Sequence, residues 1–136
     1  MSNVIRTSEA ATLALHAAAI IAGRPGAPVP TRVMAARLNA SEAHLAKVMQ
    51  RLARAGLVKG TRGPSGGFTL TRPPERISLR EVYEAIEGQL DVQRCMFRSP
   101  VCGKDECPLG NLFNRLSMDV MNTLAGKTLA DMEISL

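Results

Sequence analysis

The chain has 136 residues, 46% hydrophobic but only 3% aromatic and with no tryptophan, which suits one compact domain with an aliphatic core and excludes a membrane-spanning segment for want of a long apolar run. Its net charge of +5 is uneven: residues 1–76 carry a net +8 and residues 77–136 a net −3. The basic part reads either as the footprint of a phosphate-backbone partner or as an ordinary solvated surface.

The opening residues, MSNVIRTSEA, lack the charged-then-apolar order of a signal peptide. The three cysteines, an odd number, do not suit a secreted disulfide scaffold. We therefore expect a soluble cytoplasmic protein whose thiols stay mostly reduced. Residues 7–22 read as a helix, with Thr7 or Ser8 as cap, Glu9 at the positive end and Gly23 as the stop. RPGAPVP then forms a turn or linker. TRVMAARL, residues 31–38, is a second short helix with Thr31 as its cap. After the tight Asn39-Ala40 connection, Ser41 opens a third helix that ends at Gly56.

In that third helix Leu45, Val48, Met49 and Leu52 recur at helical spacing, while His44, Lys47, Arg51 and Arg54 form a basic face. Two helices joined by a short turn, the second one basic, give a helix-turn-helix. Val58-Lys59 and the alternating Phe68-Thr69-Leu70-Thr71 read as two strands around the glycine-rich tip GTRGPSGG. The expected fold is therefore mainly α: a winged helix-turn-helix of three helices plus a β-hairpin wing. Such a module lays its third helix in the major groove of duplex DNA; the alternative is a protein-binding module on the same fold, its basic face merely solvated. Ser41, Glu42, His44 and Lys47 are the candidates for bases and nearby phosphates, and Arg51 for phosphates. Arg62 on the wing tip would reach the minor groove. Thr31 and Ser65 complete the candidate DNA contacts.

ISLREVYEAIEGQL reads as a fourth helix, capped by Ser78 and stopped by Gly88, with Val82, Tyr83 and Ile86 inward. A loop with all three cysteines follows. PLGNLFNRLSMDVMNTLAG is then a long helix with Pro108 in its first turn and an apolar stripe of Leu109, Leu112, Phe113, Leu116, Val120, Met121 and Leu124. That stripe packs either on its own domain or on a second copy.

The spacing Cys95-x6-Cys102-x4-Cys107 matches no common zinc pattern. Three thiolates on a slack loop could hold an iron–sulfur cluster with one more ligand. They could equally be a thiol–disulfide switch or reduced structural thiols. Cys107, just before the expected start of the long helix, would have its thiolate favoured by that helix's positive end. His16, among Leu13 and Ile20, reads first as a buried, hydrogen-bonded histidine and second as a ligand. A thiol enzyme is disfavoured by the missing CxxC pair and the lack of an evident substrate cleft.

TLALHAA, LAKVMQRLARAGLVKGTRGPSGGFTL, ISLREVYEAIEG, the cysteine loop and the final LADM together resemble the Rrf-type (Rrf-two) family of winged-helix transcriptional regulators over nearly the whole chain. The resemblance implies a homodimer crossing at the long C-terminal dimerisation helices, with each basic module reading half of a pseudo-palindromic operator in double-stranded DNA. It implies a winged helix-turn-helix DNA-binding domain at 1–76, then a sensor loop (90–107) and dimerisation helices at 77–136. Cys95, Cys102 and Cys107 would ligate a 2Fe–2S or 4Fe–4S cluster, with the dimer helix linking cluster to DNA affinity, and the chain would act as a repressor sensing redox state, nitric oxide or iron–sulfur supply. Members that hold clusters often space their cysteines C-x5-C-x5-C; here the outer span agrees and Cys102 is displaced by one residue. Where some members carry a histidine just after the third cysteine this chain has Gly110, and where others carry a first-helix aspartate it has Thr12. His16, one turn on, matches a histidine ligand of some 2Fe–2S members, and Glu9 is a second candidate.

Overall fold

The structure, a computed structural model, describes residues 2–136. Helix α1 (Glu9–Ala22) is the central element and packs against every other helix of the basic half and against α4 (Leu79–Glu87). Its small residues Ala11, Ala14, Ala17 and Ala18 are all buried and let the neighbouring helices come close. Of the two expected caps, Ser8 does the work: its Oγ accepts from the N–H of Ala11 at 3.0 Å. At the other end, a Cβ on Gly23 would lie 2.5 Å from the carbonyl oxygen of Ile134. The C-terminal segment crosses there, and the Ile134 N–H donates to Ala19 at 3.1 Å.

Helix α2 (Thr31–Leu38) departs from the expected cap. Thr31 is its first helical residue and Pro30 the cap, with no side-chain hydrogen bond. Proline's fixed φ and missing N–H suit a helix start, so no polar cap is needed to direct the chain. Asn39, in the left-handed region at φ 51°, ends α2 and turns the chain into α3 (Glu42–Arg54). Ser41 caps α3 by accepting from the His44 N–H. The four spaced apolar residues of α3 are all buried, which fixes the opposite face toward solvent.

Strands β1 (Val58–Thr61) and β2 (Gly67–Leu70) pair antiparallel, with Val58 opposite Leu70 and Thr61 opposite Gly67. The mainly helical winged helix-turn-helix expected from the sequence is the observed fold. One contact had no local signal. Val29, in the presumed linker, exchanges two backbone hydrogen bonds with Phe68 at 3.0 and 2.9 Å. The linker thus ties the wing to the body. A Cβ at Gly67 would sit 2.4 Å from the Val29 carbonyl carbon, so only glycine fits.

A 3₁₀ turn at Pro74–Arg76 leads into α4. Ser78 and Glu81 form a reciprocal capping box there. Val82 and Ile86 are buried and Tyr83 half-buried. Burial, with Glu87 second, raises the Tyr83 pKa. Helix α5 (Leu112–Gly126) packs on α4, and the chain then returns: Leu129, fully buried, donates its N–H to Ile77 at 3.0 Å. Ile77, Val82, Ile86 and Leu129 belong to the same buried cluster as α1 and α3.

Burial pushes the Glu81 carboxyl up, but the Arg72 guanidinium at 2.6 Å and the Ser78 N–H at 2.9 Å outweigh it, and its pKa is lowered below the ordinary 4.5. A lowered folded pKa stabilises the fold above the unfolded value and loses that contribution as pH falls through the folded one. Glu81→Gln, which keeps a capping side chain, should therefore be less stable than the wild type at pH 7. The two should converge in acid below the ordinary carboxylate range. Ser78→Ala should cost about 1 kcal/mol. Urea unfolding across pH checks both; a Glu81→Gln deficit that does not vary with pH would contradict the assignment.

Candidate nucleic-acid interface and cysteine loop

α3 and the wing share one exposed side of the molecule. Ser41, Glu42, Lys47 and Arg51 on α3 and Arg62 and Ser65 on the wing tip are exposed, while His44 and Thr31 are half-buried. Between α2, α3 and the wing runs a cleft of about 490 Å³, lined in part by Thr31, Arg32, Glu42, Gln50 and Arg62. The geometry thus brings the α2 start, the α3 start and the wing to one groove. Arg32 and Gln50 were not picked out from sequence; Arg32 follows Thr31 in the same first turn, and that adjacency was the available signal.

Two expected contacts are engaged inside the protein. The Arg51 guanidinium donates to the Ile86 carbonyl in the last turn of α4. The His44 ring lies 3.8 Å from the Glu9 carboxylate at the start of α1. Glu9, considered as a ligand, thus has a partner on α3.

The cysteine loop runs from Gly88 to Asn111, beyond the end of α4. Its base is tied down: the Leu90 N–H donates to the Glu84 carboxylate at 2.6 Å and the Gln93 N–H to Ser117 of α5 at 3.0 Å. The Gln93 side-chain amide donates to the Cys95 carbonyl at 3.0 Å. Cys95 is half-buried, whereas Cys102 and Cys107 are exposed; all three thiols are free. The loop folds around a concavity of about 820 Å³ that Cys95 lines but Cys102 and Cys107 do not.

The expected helix start at Pro108 is corrected. Pro108 lies in a turn closed by the Gly110 N–H to the Cys107 carbonyl at 2.9 Å. Gly110 and Asn111 both take positive φ, 60° and 62°, which no α-helix tolerates, so α5 starts after them at Leu112. A helix field fades within its first turn, so the proposed helix stabilisation of a Cys107 thiolate falls away.

An iron–sulfur cluster takes about four donors, usually all thiolates, with histidine able to replace one, and in kind this donor set fits: three free thiols, plus His16. His16 is half-buried with Nδ1 2.7 Å from the Thr12 carbonyl. That bond requires the proton on Nδ1, which leaves the Nε2 lone pair of the neutral ring for a ligand. Among the described residues, however, no group of three His, Cys, Asp or Glu side chains is gathered closely enough to hold a metal ion.

The Rrf2 family model, described as an iron-dependent transcriptional regulator, matches residues 7–133. The chain belongs to the Rrf2 family. The HTH-type transcriptional regulator IscR of Xenorhabdus nematophila is 32% identical to this Rrf2 chain over 105 residues, 77% of this chain and 64% of that protein. IscR of Klebsiella pneumoniae is 31% identical over the same shares of the two proteins. This Rrf2 chain therefore spans about two thirds of the length of these IscR relatives, 64%. Among solved structures, CymR, the global cysteine regulator of B. subtilis, superposes with a TM-score of 0.75 at 26% identity, covering 95% of this chain and 96% of that one. IscR of T. potens gives a TM-score of 0.74 at 27% identity, covering 95% and 86%. These relatives are regulators and not enzymes. Among the described residues of this Rrf2 chain, no helix is long and apolar enough to cross a membrane.

Proposed function

We propose that this chain is a cytoplasmic, homodimeric transcriptional repressor that binds duplex DNA through α3 and the wing and adjusts that binding through its cysteine loop. The observation that carries the reading is the cleft where the starts of α2 and α3 meet the wing, with Arg32 and Arg62 on its walls; Lys47 is exposed on the same helix, α3. Cationic side chains around a groove suit two phosphate strands, while Ser41, Glu42 and His44 at the start of α3 stand where base edges would come. The division of labour follows the chain: residues 1–76 read DNA, and residues 77–136 sense and dimerise.

The dimer draws its support from α5. The whole helix is partly or fully exposed, with Val120 and Met118 each 42% exposed and Leu112 36%. A second copy of this chain, with α5 on α5, would cover that apolar face and place two recognition helices on a pseudo-palindromic operator.

Cys95, Cys102 and Cys107 would hold a 2Fe–2S or 4Fe–4S cluster, with His16 as a further ligand. Bound there, the cluster would supply a centre whose gain, loss or oxidation reports redox state, nitric oxide or iron–sulfur supply. The chain's own residues do the rest. Gln93 fixes the backbone at Cys95, Glu84 and Ser117 hold the base of the loop, and the unanchored stretch around Cys102 lets the other thiols move.

A second reading, a metal-free thiol switch, is favoured by the exposure of Cys102 and Cys107. Anaerobic purification followed by visible absorption, iron and sulfide assays separates the two. We expect a coloured protein after reconstitution with iron and sulfide, and Cys95→Ser, Cys102→Ser and Cys107→Ser variants that each lose most of the iron. A colourless, iron-free protein that resists reconstitution would remove the cluster and leave the thiol switch.

A further inference from the structure

We infer that Arg51 is a positioning residue that couples the cysteine loop to the recognition helix inside a single chain. The inference rests on the sensor reading above and names the residue that transmits its signal. It also gives a route that does not pass through the dimer helix.

Arg51 sits in the last turn of α3, on the basic side one turn beyond Lys47. Its guanidinium reaches across to α4 and donates to the Ile86 carbonyl. Carbonyls in the last turn of a helix lack intrahelical partners and carry the negative end of its dipole, so a cation there makes a charge-assisted hydrogen bond. The Ile86 side chain is buried in the core, which fixes the position of that carbonyl.

The cysteine loop leaves α4 two residues later. The Gly88 N–H donates to the Glu84 carbonyl at 2.9 Å and the Leu90 N–H to the Glu84 carboxylate at 2.6 Å, so the loop starts from the turn that Arg51 holds. Further on, Gln93 grips the Cys95 carbonyl. A displacement of Cys95 therefore passes through Gln93 and Leu90 to the last turn of α4, and through Ile86 and Arg51 to α3. A second tie points the same way. Ser8 donates to Glu87 in that same turn, and its neighbour Glu9 stands 3.8 Å from His44 at the start of α3. The end of α4 is thus bonded toward both ends of the recognition helix.

A phosphate-binding arginine and a coupling arginine leave different signatures. Losing a phosphate contact weakens binding in every state and lowers the salt slope by about 1. Losing a coupling contact removes the difference between states and leaves the slope alone. The test compares the full chain with reduced thiols and with all three thiols alkylated by iodoacetamide. It measures hydrogen exchange of the α3 amides without DNA, and affinity against salt for a duplex selected from random sequence.

In the wild type, alkylation should alter α3 exchange and shift duplex affinity by roughly 5- to 150-fold, the usual range of coupling between sites. Arg51→Met should abolish both shifts with an unchanged salt slope, and Arg51→Lys should restore part of them. If Arg51→Met does not fold, Arg51→Gln, too short to keep the contact, decides in its place. An undiminished shift in the truncated variant, or a lower salt slope with the shift intact, would overturn the inference. So would a wild type that responds to alkylation in neither readout. A wild type that binds no duplex sinks the regulator reading instead, and α3 exchange then decides the coupling on its own.

Discussion

Replacing both Lys47 and Arg62 with alanine should lower affinity for an operator duplex roughly a hundredfold, from about 1–3 kcal/mol at each site that reads a base. The two side chains are exposed, one on α3 and one on the wing tip, so neither change disturbs the core. They lie on separate elements, so their effects should be nearly additive. If they meet phosphates instead, the loss will be uniform across sequences and the salt slope will fall by about 1 for each. Arg32→Ala should behave as a phosphate contact, since it shares the cleft with Arg62. Glu42 should behave oppositely. Its carboxylate repels phosphates but can accept from a cytosine amino group, so Glu42→Ala should relax specificity while strengthening non-specific binding. Fluorescence anisotropy at several salt concentrations separates these cases. Unchanged affinity in the double variant would mean that DNA meets another face.

Val120→Glu should convert the dimer to a monomer and cost a further roughly 10²- to 10⁴-fold in operator affinity through lost avidity. Val120 is 42% exposed in the single chain, so a glutamate there should leave the monomer fold intact. In a helix-to-helix interface the same carboxylate would be buried without a partner, at a cost of several kcal/mol. Sedimentation equilibrium checks the mass, and a half-site duplex should bind the variant as well as it binds the wild type. A wild type that is already monomeric, or a variant that stays dimeric, would contradict the role given to α5.

The elements that a local pattern specifies were legible. α3 announces itself through Ser41 and four apolar residues at helical spacing, α4 through the Ser78 cap and the Gly88 stop, and the wing through glycines between two short runs. What was missed depends on partners distant in sequence. Val29 pairs with Phe68, and Leu129 closes the core over Ile77 from a short turn with no periodicity of its own. The start of α5 was misplaced because Pro108 is a good first helical residue in isolation. Gly110 and Asn111 override it by taking left-handed backbone.

At the candidate site the outcome divides in the same way. The exposed positions on α3 and the wing follow from the burial of the opposite faces, and periodicity reveals that. The engagement of Arg51 with α4 and the approach of His44 to Glu9 do not, because helix spacing says which side a residue takes and not what stands opposite. The cysteines could be counted and spaced from sequence, but not ranked. The Gln93 and Ser117 hydrogen bonds and the lining of the loop's concavity distinguish the half-buried Cys95 from the exposed Cys102 and Cys107.

If the state of the cysteine loop sets DNA affinity, one operator duplex should be bound differently, under anaerobic conditions and at one salt concentration, by protein reconstituted with iron and sulfide and by the same protein after chelation. The two titrations should give affinities that differ by roughly tenfold or more, with the difference absent when all three cysteines are serine. Two identical titrations, from a protein verified to hold iron in one sample and none in the other, would contradict it.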